Sequence, residues 1–191
     1  MSTGKIDYKN IFYPPGGILI WILILLEMLT FGIALTVLIV YSRENPELFH
    51  RSSSMLNVNF GVINTIFLLV SGFFMATAVH QFKTGGILKA SFFIKLAILG
   101  GTLFLLLKGF EYYEKLEAGI SLGYNTFFTF YWLLTGFHVI HVIVGIVILL
   151  FINNAVKNGN SALEDVEAGA AFWHMCDLIW LLLFPVLYLV L

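Results

Sequence analysis

The stretch that decides the fold is residues 173–180, WHMCDLIW, which lies inside the last apolar run of the chain. His174 and Asp177 are three residues apart, so on a helix they share one face. The residues that follow, 181–191, carry no charge. A histidine and an aspartate at membrane depth are costly unless protein surrounds them, so the remaining helices are predicted to enclose these groups.

The composition is that of a membrane protein. Of the 191 residues, 60% are hydrophobic and 11% are charged, and the mean hydropathy is +0.95. Soluble domains carry about 25% charged residues. The net charge of −1 provides no basic surface, which argues against nucleic acid as a partner. Cys176 is the only cysteine, so the chain alone offers neither a disulfide nor a cysteine-based metal or cluster site.

The apolar runs predict an all-α membrane bundle of five transmembrane helices, because a helix needs about 20 apolar residues to cross a bilayer. The predicted spans cover about 18–41, 57–80, 90–113, 124–152 and 168–191. They form a single domain, 18–191, after an N-terminal segment, 1–17. The connection 42–56 is polar, and Pro185 is expected to kink the second half of the fifth span.

The lysines and arginines near the span ends predict the orientation. Five spans place the two termini on opposite sides of the membrane. The side of the N-terminus would carry Lys5, Lys9, Lys83, Lys89 and Lys157. The other side would carry Arg43, Arg51 and Lys115. Because cytoplasmic loops are richer in these residues, the N-terminal segment is predicted to be cytoplasmic and the C-terminus to be outside.

Five ionisable residues inside the spans are predicted to lie at a similar depth. With a rise of about 1.5 Å per residue, Glu27 and Asp177 each lie about 14 Å from the cytoplasmic side. His141 lies about 16 Å deep, and His138 and His174 lie on either side of this level. These residues predict one polar layer in the cytoplasmic half of the bundle.

A second set of charges lies near the far end of the third span. Lys108 and Glu111 are spaced for an (i, i+3) pair on one helix face. The predicted pair is separate from the polar layer, because it lies toward the opposite side of the membrane.

Four interpretations of the polar layer are open from the residues alone. Its members can be structural, since interhelical hydrogen bonds are the usual reason for polar groups between membrane helices. Three histidines and a carboxylate also suit zinc or another transition metal. Glu27 and Asp177 fit a proton relay, because intramembrane carboxylates mark proton routes. The fourth interpretation is a lipid site, in which a glutamate faces lipid headgroups or the interface between subunits.

The last two spans carry motifs that resemble those of a known family. Residues 136–145, GFHVIHVIVG, resemble the GFHxxHVxxG signature of cytochrome c oxidase subunit III, and residues 173–180 resemble its WHFxDxxW signature. Residues 24–31, ILLEMLTF, look like the family's helix with a membrane-embedded glutamate. Further matches follow in order at 69–72, 109–112 and 124–128. The resemblance covers nearly the whole chain.

The resemblance implies a non-catalytic core subunit of a haem–copper respiratory oxidase. Such subunits pack beside subunit I, hold structural phospholipids, sustain proton uptake and protect the enzyme during turnover. The haem and copper lie in partner subunits, so the resemblance implies no catalytic residue, metal site or redox centre in this chain. It also implies a complex that contains subunit II and can contain a small subunit IV. The implied location of this complex is the bacterial cytoplasmic (inner) membrane.

The resemblance also implies roles for individual residues. Glu27 matches the embedded glutamate near lipid and subunit I, with an indirect proton-antenna role. The polar layer of the last two spans is assigned to packing and hydrogen bonding rather than to metal binding; it comprises His138, His141, His174 and Asp177. Glu111 matches a glutamate near the far end of the third span, where it is expected to pair with Lys108.

The chain departs from the longer members of the family, which have seven helices. Pro14 and Pro15 directly precede the glutamate-bearing helix, so the counterparts of the first two helices are missing and a lipid cleft depends on another subunit for its second wall. Five-helix forms occur in bacterial cytochrome c oxidases, bo-type quinol oxidases and the accessory subunit of nitric oxide reductase. The late motifs favour cytochrome c oxidase. An independent proton-linked transporter is the alternative from a different class.

Overall fold

The computed structural model describes residues 14–191, so most of the predicted N-terminal segment lies outside the described residues. The described chain is α1 (Ile18–Glu44), α2 (Pro46–Ser53), α3 (Val58–Lys83), α4 (Ile87–Glu117), α5 (Thr126–Lys157), α6 (Leu163–Pro185) and a π-helical segment (Val186–Val190). Five helices, α1 and α3 to α6, are long and apolar enough to cross a membrane. The predicted all-α class and its five spans are confirmed.

The helices extend beyond the predicted spans at several ends. The helices end at Glu44 rather than 41, Lys83 rather than 80, Glu117 rather than 113 and Lys157 rather than 152, and α6 begins at Leu163 rather than 168. Hydropathy marks the hydrocarbon layer, which is about 30 Å thick. Backbone hydrogen bonds continue a helix past that layer into the polar interface, where the sequence looks like a loop.

The polar connection over residues 42–56 contains α2, a helix that the hydropathy pattern did not predict. Pro46 occupies the first turn of α2, where its fixed φ and missing N–H suit a helix start. Phe49, Ser52 and Ser53 lie three and four residues apart and are all buried on one face. Phe49 packs edge-on against Phe127 of α5, with their ring centroids 5.7 Å apart.

α6 ends at Pro185, the residue at which the sequence predicts a kink. Proline has no N–H to donate to the preceding turn, and the chain continues as the π-helical segment. This segment buries Leu187 and Tyr188. The changed helical pitch therefore sets the direction in which Tyr188 enters the bundle.

Side-chain contacts define the two ends of the bundle. At one end Lys83 and Glu167 form an ion pair of 2.7 Å. Gly16 belongs to the same end: its φ is +79°, and a Cβ there would lie 2.7 Å from the backbone of Ala168, so a side chain is excluded. We call this the Lys83 end.

At the opposite end, side-chain hydrogen bonds join α2 and the residue Met55 after it to other parts of the bundle. Lys115 Nζ donates to the carbonyl of Met55 at 2.7 Å, and Asn125 Nδ2 donates to Ser52 Oγ at 2.9 Å. We call this the Lys115 end. The connections alternate between the two ends as five consecutive spans require.

Helix α6 is the centre of the bundle and α1 is its periphery. In the apolar window of α6, 56% of the residues are buried, against 11% in α1. α6 packs against α1, α3 and α5, and α1 packs against α5 and α6. Within the described chain α1 and α3 do not pack extensively against each other, so one face of α6 opens to the outside between them.

Two tryptophans of the opening stretch fasten α6 to its neighbours. Trp173 Nε1 donates to Ser71 Oγ of α3 at 3.0 Å. Its ring fills a slot that exists because α4 has Gly101 and α5 has Gly145 at the contact, where a Cβ would meet the ring. Seven residues later, Trp180 Nε1 donates to Thr65 Oγ1 of α3 at 3.0 Å. Each buried indole thus has a hydrogen-bond partner.

Candidate functional site

The two charges predicted at the far end of the third span form an ion pair. Lys108 Nζ lies 3.1 Å from Glu111 Oε2, and both side chains are almost fully buried. They lie one turn apart on α4. A buried ion pair is tolerated only when its remaining donors and acceptors are also hydrogen-bonded, so Lys108 and Glu111 need further partners.

Two tyrosines complete the network around this pair. Lys108 Nζ also donates to Tyr131 Oη of α5 at 3.2 Å and to Tyr188 Oη of the π-helical segment at 2.7 Å. Tyr131 and Tyr188 in turn donate to Glu111 Oε1 at 2.8 and 2.6 Å. All three ammonium donors and both carboxylate oxygens are therefore used. We call these four residues the closed network, and it joins α4, α5 and the C-terminal segment.

Glu27 of α1 is paired with His141 of α5. Glu27 Oε2 lies 3.3 Å from His141 Nε2, with the two side chains 23% and 11% exposed. Phe31, Phe137 and Phe172 surround the imidazole, at centroid distances of 5.9, 4.6 and 6.4 Å. The pair therefore lies in a largely aromatic pocket at the junction of α1, α5 and α6, with limited access from outside.

The hydrogen bond on the other side of the His141 ring places a proton on Nδ1. His141 Nδ1 lies 2.9 Å from the carbonyl of Phe137. A carbonyl only accepts, so Nδ1 carries a proton, and in a neutral ring Nε2 would present a lone pair to Glu27. Glu27 Oε2 has no hydrogen-bond partner among the described residues, so its 3.3 Å approach to Nε2 is a close contact and not a hydrogen bond.

His174 and Asp177 form a second pair, on the outer side of α6. His174 Nδ1 lies 3.3 Å from Asp177 Oδ2, and the side chains are 41% and 8% exposed. Asp177 Oδ1 is buried without a hydrogen-bond partner among the described residues. The carboxylate lies against α3 because position 72 is glycine, where a Cβ would collide with Asp177 Oδ2.

His138 is fully buried in an aromatic environment. Its ring stacks on Trp180 at 5.5 Å and meets Phe104 edge-on at 5.6 Å. Neither ring nitrogen has a hydrogen-bond partner among the described residues. His138 therefore contributes packing between α4, α5 and α6, and no hydrogen bond within residues 14–191 accompanies it.

The residues of the predicted polar layer thus lie in three surroundings. Glu27 and His141 form one pair, His174 and Asp177 another, and His138 lies among aromatic rings. No ion pair or hydrogen bond between described residues joins the two pairs. Across residues 14–191, no three His, Cys, Asp or Glu side chains are grouped in a way that could hold a metal ion.

Sequence reasoning missed the residues that complete these groups. Tyr131 and Tyr188 of the closed network lie 23 and 80 residues from Lys108 along the chain. Gly72, where a Cβ would collide with Asp177 Oδ2, lies 105 residues from that aspartate along the chain. A tyrosine inside an otherwise apolar span is the signal that could have indicated the network, because a buried hydroxyl needs a partner.

Fold and polar groups together define the class of protein: a multi-pass membrane bundle with ionisable side chains paired between its helices. The model of the family described as cytochrome c oxidase subunit III matches residues 52–190. The chain therefore belongs to the cytochrome c oxidase subunit III family, and the resemblance of its two late motifs is confirmed.

Curated relatives agree with this family. A haem–copper oxidase subunit I+III of Aeropyrum pernix is 32% identical over 89% of this chain, which spans 22% of the length of that protein. Cytochrome bo(3) ubiquinol oxidase subunit 3 of Buchnera aphidicola is 26% identical over 89% of this chain and 84% of its own. The probable cytochrome c oxidase subunit 3 of Mycobacterium leprae is 27% identical over 72% and 70%.

Proposed function

We propose that this chain is the non-catalytic subunit III of a haem–copper terminal oxidase and that it packs directly on subunit I. The observation that carries the proposal is the family match over residues 52–190. The Aeropyrum relative supports the contact, since its name combines subunits I and III in one protein. Subunit II and a small subunit IV complete the proposed complex.

The proposed contribution of this chain to proton uptake rests on Glu27 and His141. Their side chains lie 3.3 Å apart, belong to two of the predicted spans and have limited exposure at the edge of α1. Intramembrane carboxylates and histidines of this kind mark proton routes in other membrane proteins. In the proposed complex the pair supplies protons indirectly to subunit I.

The rest of the proposal follows the same family. Haem and copper are held by the partner subunits, and structural phospholipids contact the apolar outer face of α1, which includes Leu25, Leu29 and Ile33. The location is the bacterial inner membrane, with the Lys83 end in the cytoplasm. In the proposed complex the chain lengthens the time for which the oxidase stays active during turnover.

Deletion of the chain from the complex tests this function. Initial oxygen reduction by subunits I and II should continue, while the number of turnovers before inactivation falls. The measurement is oxygen consumption against time, with the intact complex as control. Immediate and total loss of oxygen reduction in an otherwise assembled complex would overturn the non-catalytic role.

The electron donor has two candidates, each supported by a relative. The Buchnera protein is named for a ubiquinol oxidase and the Mycobacterium protein for a cytochrome c oxidase. We favour cytochrome c because of the late motifs. Oxidation of reduced cytochrome c by the purified complex supports this choice, and turnover with a quinol alone assigns the chain to a quinol oxidase.

A further inference from the structure

A groove that opens toward the membrane lies between α3 and α6, and the imidazole of His174 faces it. Its volume is about 400 Å³, in the range of about 300–1,000 Å³ that is usual for small-molecule sites. We propose that this α3–α6 groove binds a lipid-soluble aromatic diol, a quinol, whose ring hydroxyl donates a hydrogen bond to His174 Nε2. The lining residues are Leu69, Gly72, Phe73, Ala76, His174, Asp177, Leu178 and Leu181.

The contact between His174 and Asp177 decides which nitrogen is left for a ligand. His174 Nδ1 lies 3.3 Å from Asp177 Oδ2. The carboxylate accepts, so Nδ1 carries the proton, and Nε2 of the neutral ring is an acceptor. The imidazole side chain is 41% exposed, and Nε2 has no hydrogen bond with a described residue. Asp177 Oδ1 is buried, so His174 Nε2 is the acceptor that this pair presents to the groove.

The depth of the groove restricts the chemistry of its ligand. Gly72 is 11 residues before Lys83, the last residue of α3, and thus about 16 Å from the Lys83 end. His174 is 11 residues after Leu163, the first residue of α6, which gives the same depth of about 16 Å. Phospholipid headgroups lie outside the hydrocarbon layer of about 30 Å, and lipid tails carry no donor. The ligand must therefore dissolve in lipid and bring its own hydroxyl group to this level.

Other lipid-facing positions show how the chain treats a polar group that has no external partner. The exposed hydroxyls of Thr30, Thr36, Thr77 and Thr102 each donate to a carbonyl of their own helix, at 2.8 to 2.9 Å. Those faces need nothing from outside. His174 Nε2 differs from them, because it is an acceptor on an exposed side chain with no internal donor. The contrast favours a ligand with a donor at this position.

The walls of the groove fit a planar ring with an apolar tail. A Cβ at Gly72 would collide with Asp177 Oδ2 and lie 3.3 Å from His174 Nδ1, so glycine keeps this wall flat beside the imidazole. Phe73 is exposed and offers an aromatic face for stacking. Leu69, Leu178 and Leu181 provide an apolar surface for an isoprenoid tail. A phenolic hydroxyl is also more acidic than an aliphatic one, which makes it the better donor to a neutral imidazole.

Photoaffinity labelling of the full-length chain in phospholipid nanodiscs tests the site. The probe is a short-tailed ubiquinol that carries a diazirine on its tail, kept reduced under anaerobic conditions. We expect adducts at the groove residues Phe73 and Leu178, identified by mass spectrometry, which excess unlabelled short-tailed ubiquinol lowers at least fivefold. Adducts spread evenly over the outer faces of α1 and α5, or labelling that the competitor does not change, would overturn the proposal.

Two analogues of the same shape test the hydrogen bond. The first is the dimethyl ether of the quinol, which keeps the ring and tail but has no hydroxyl donor, and the second is the oxidised quinone. Because one hydrogen bond contributes about 1 kcal/mol, we expect both to bind about fivefold more weakly than the quinol. Equal affinity of the dimethyl ether would show that apolar fit alone fills the groove. Tighter binding of the quinone would show that Nε2 is not the acceptor. Either result contradicts the proposal.

Matched variants assign the contact to His174. His174→Phe keeps an aromatic ring and removes the acceptor, whereas His50→Phe changes an exposed histidine on α2, at the opposite end of the bundle. We expect His174→Phe to weaken quinol binding at least fivefold and His50→Phe to change it less than twofold. Unchanged affinity of His174→Phe for the dimethyl ether serves as the control for an intact groove. Quinol binding by His174→Phe that equals that of wild type overturns the proposal.

A second pair of variants tests the position of the ligand. Leu178→Trp adds bulk inside the groove, and Ile140→Trp adds it at an exposed position of α5. We expect at least tenfold weaker quinol binding for the first and less than twofold change for the second. Equal binding by the two variants places the quinol elsewhere and contradicts the proposal. All these measurements use the chain without partner subunits, so their outcome is independent of whether the chain recovers subunit I.

Discussion

The closed network and the His174–Asp177 pair both contain two ionisable residues at (i, i+3) spacing within a span, yet their surroundings differ. Lys108 and Glu111 are fully buried, and two tyrosines use every remaining donor and acceptor. Asp177 keeps one oxygen without a partner among the described residues, and His174 is open to the outside. The same spacing in sequence thus gives an enclosed structural element in one place and an incomplete surface in the other.

The difference separates ionisable groups that stabilise the fold of the chain from those that interact with a partner outside it. A network that satisfies itself gains nothing from a partner, so its loss affects the fold of the chain. A pair that is left incomplete gains from a partner, so its loss affects the binding of that partner. Each variant below changes one member of this comparison, in order of expected effect.

The largest effect is expected for Glu111→Ala in the closed network. Removing the carboxylate leaves Lys108 as a buried charge without its counter-ion, which costs about 3–5 kcal/mol of unfolding free energy. The measurement is unfolding of the isolated chain in mixed detergent micelles. As a control, the double variant Lys108→Met/Glu111→Leu removes both charges and should recover most of the loss. A single variant as stable as wild type would show that the network is not structural.

A smaller effect on the fold is expected for Asp177→Ala. The lost contact with His174 is 3.3 Å long and partly exposed, so the isolated chain should lose about 1 kcal/mol or less. Quinol binding in the α3–α6 groove should nevertheless weaken several-fold, because His174 Nδ1 loses its acceptor, and Asp177→Asn, which keeps an acceptor, should retain more of it. Destabilisation as large as that of Glu111→Ala would place Asp177 with the closed network instead.

Replacement of Glu27 by glutamine is expected to leave assembly intact. Glutamine keeps the shape of the side chain and its amide can donate to His141 Nε2, so the contact persists while the ionisable carboxyl group is lost. Recovery of the complex should equal that of wild type, and proton uptake during turnover should slow. Failure of the complex to assemble would instead make the ionised carboxylate a structural requirement.

The smallest effect is expected for His138→Leu. His138 has no hydrogen-bond partner among the described residues, so an apolar side chain removes an unsatisfied polar group while keeping much of the volume. The unfolding free energy should change by less than about 1 kcal/mol, in either direction. A loss of about 2 kcal/mol or more would indicate that the imidazole has a polar partner in the membrane.

The sequence was sufficient for the spans and insufficient for the lateral neighbours. Apolar length predicts a spanning helix directly, and the rise per residue predicts depth, which correctly brings Glu27 and His141 to one level. Depth is a single coordinate, however, and it does not say which helices touch. Glu27 therefore pairs with His141 and not with Asp177, although all three were predicted in one layer.

The closed network and α2 were beyond prediction for different reasons. Tyr188 reaches Lys108 across 80 residues, and its direction depends on the π-helical segment after Pro185, which no local pattern specifies. α2 is short and polar on average, so hydropathy did not separate it from a loop. Its local signals were Pro46 at the first turn and the spacing of Phe49, Ser52 and Ser53.

The most direct test of the central claim is one purification of the tagged chain in mild detergent, followed by identification of its partners and haem spectroscopy. The account predicts recovery of oxidase subunit I with its haem and copper, and a chain that transports no protons when reconstituted alone in liposomes. Recovery of nitric oxide reductase subunits, or of the chain alone with proton transport in liposomes, would contradict it.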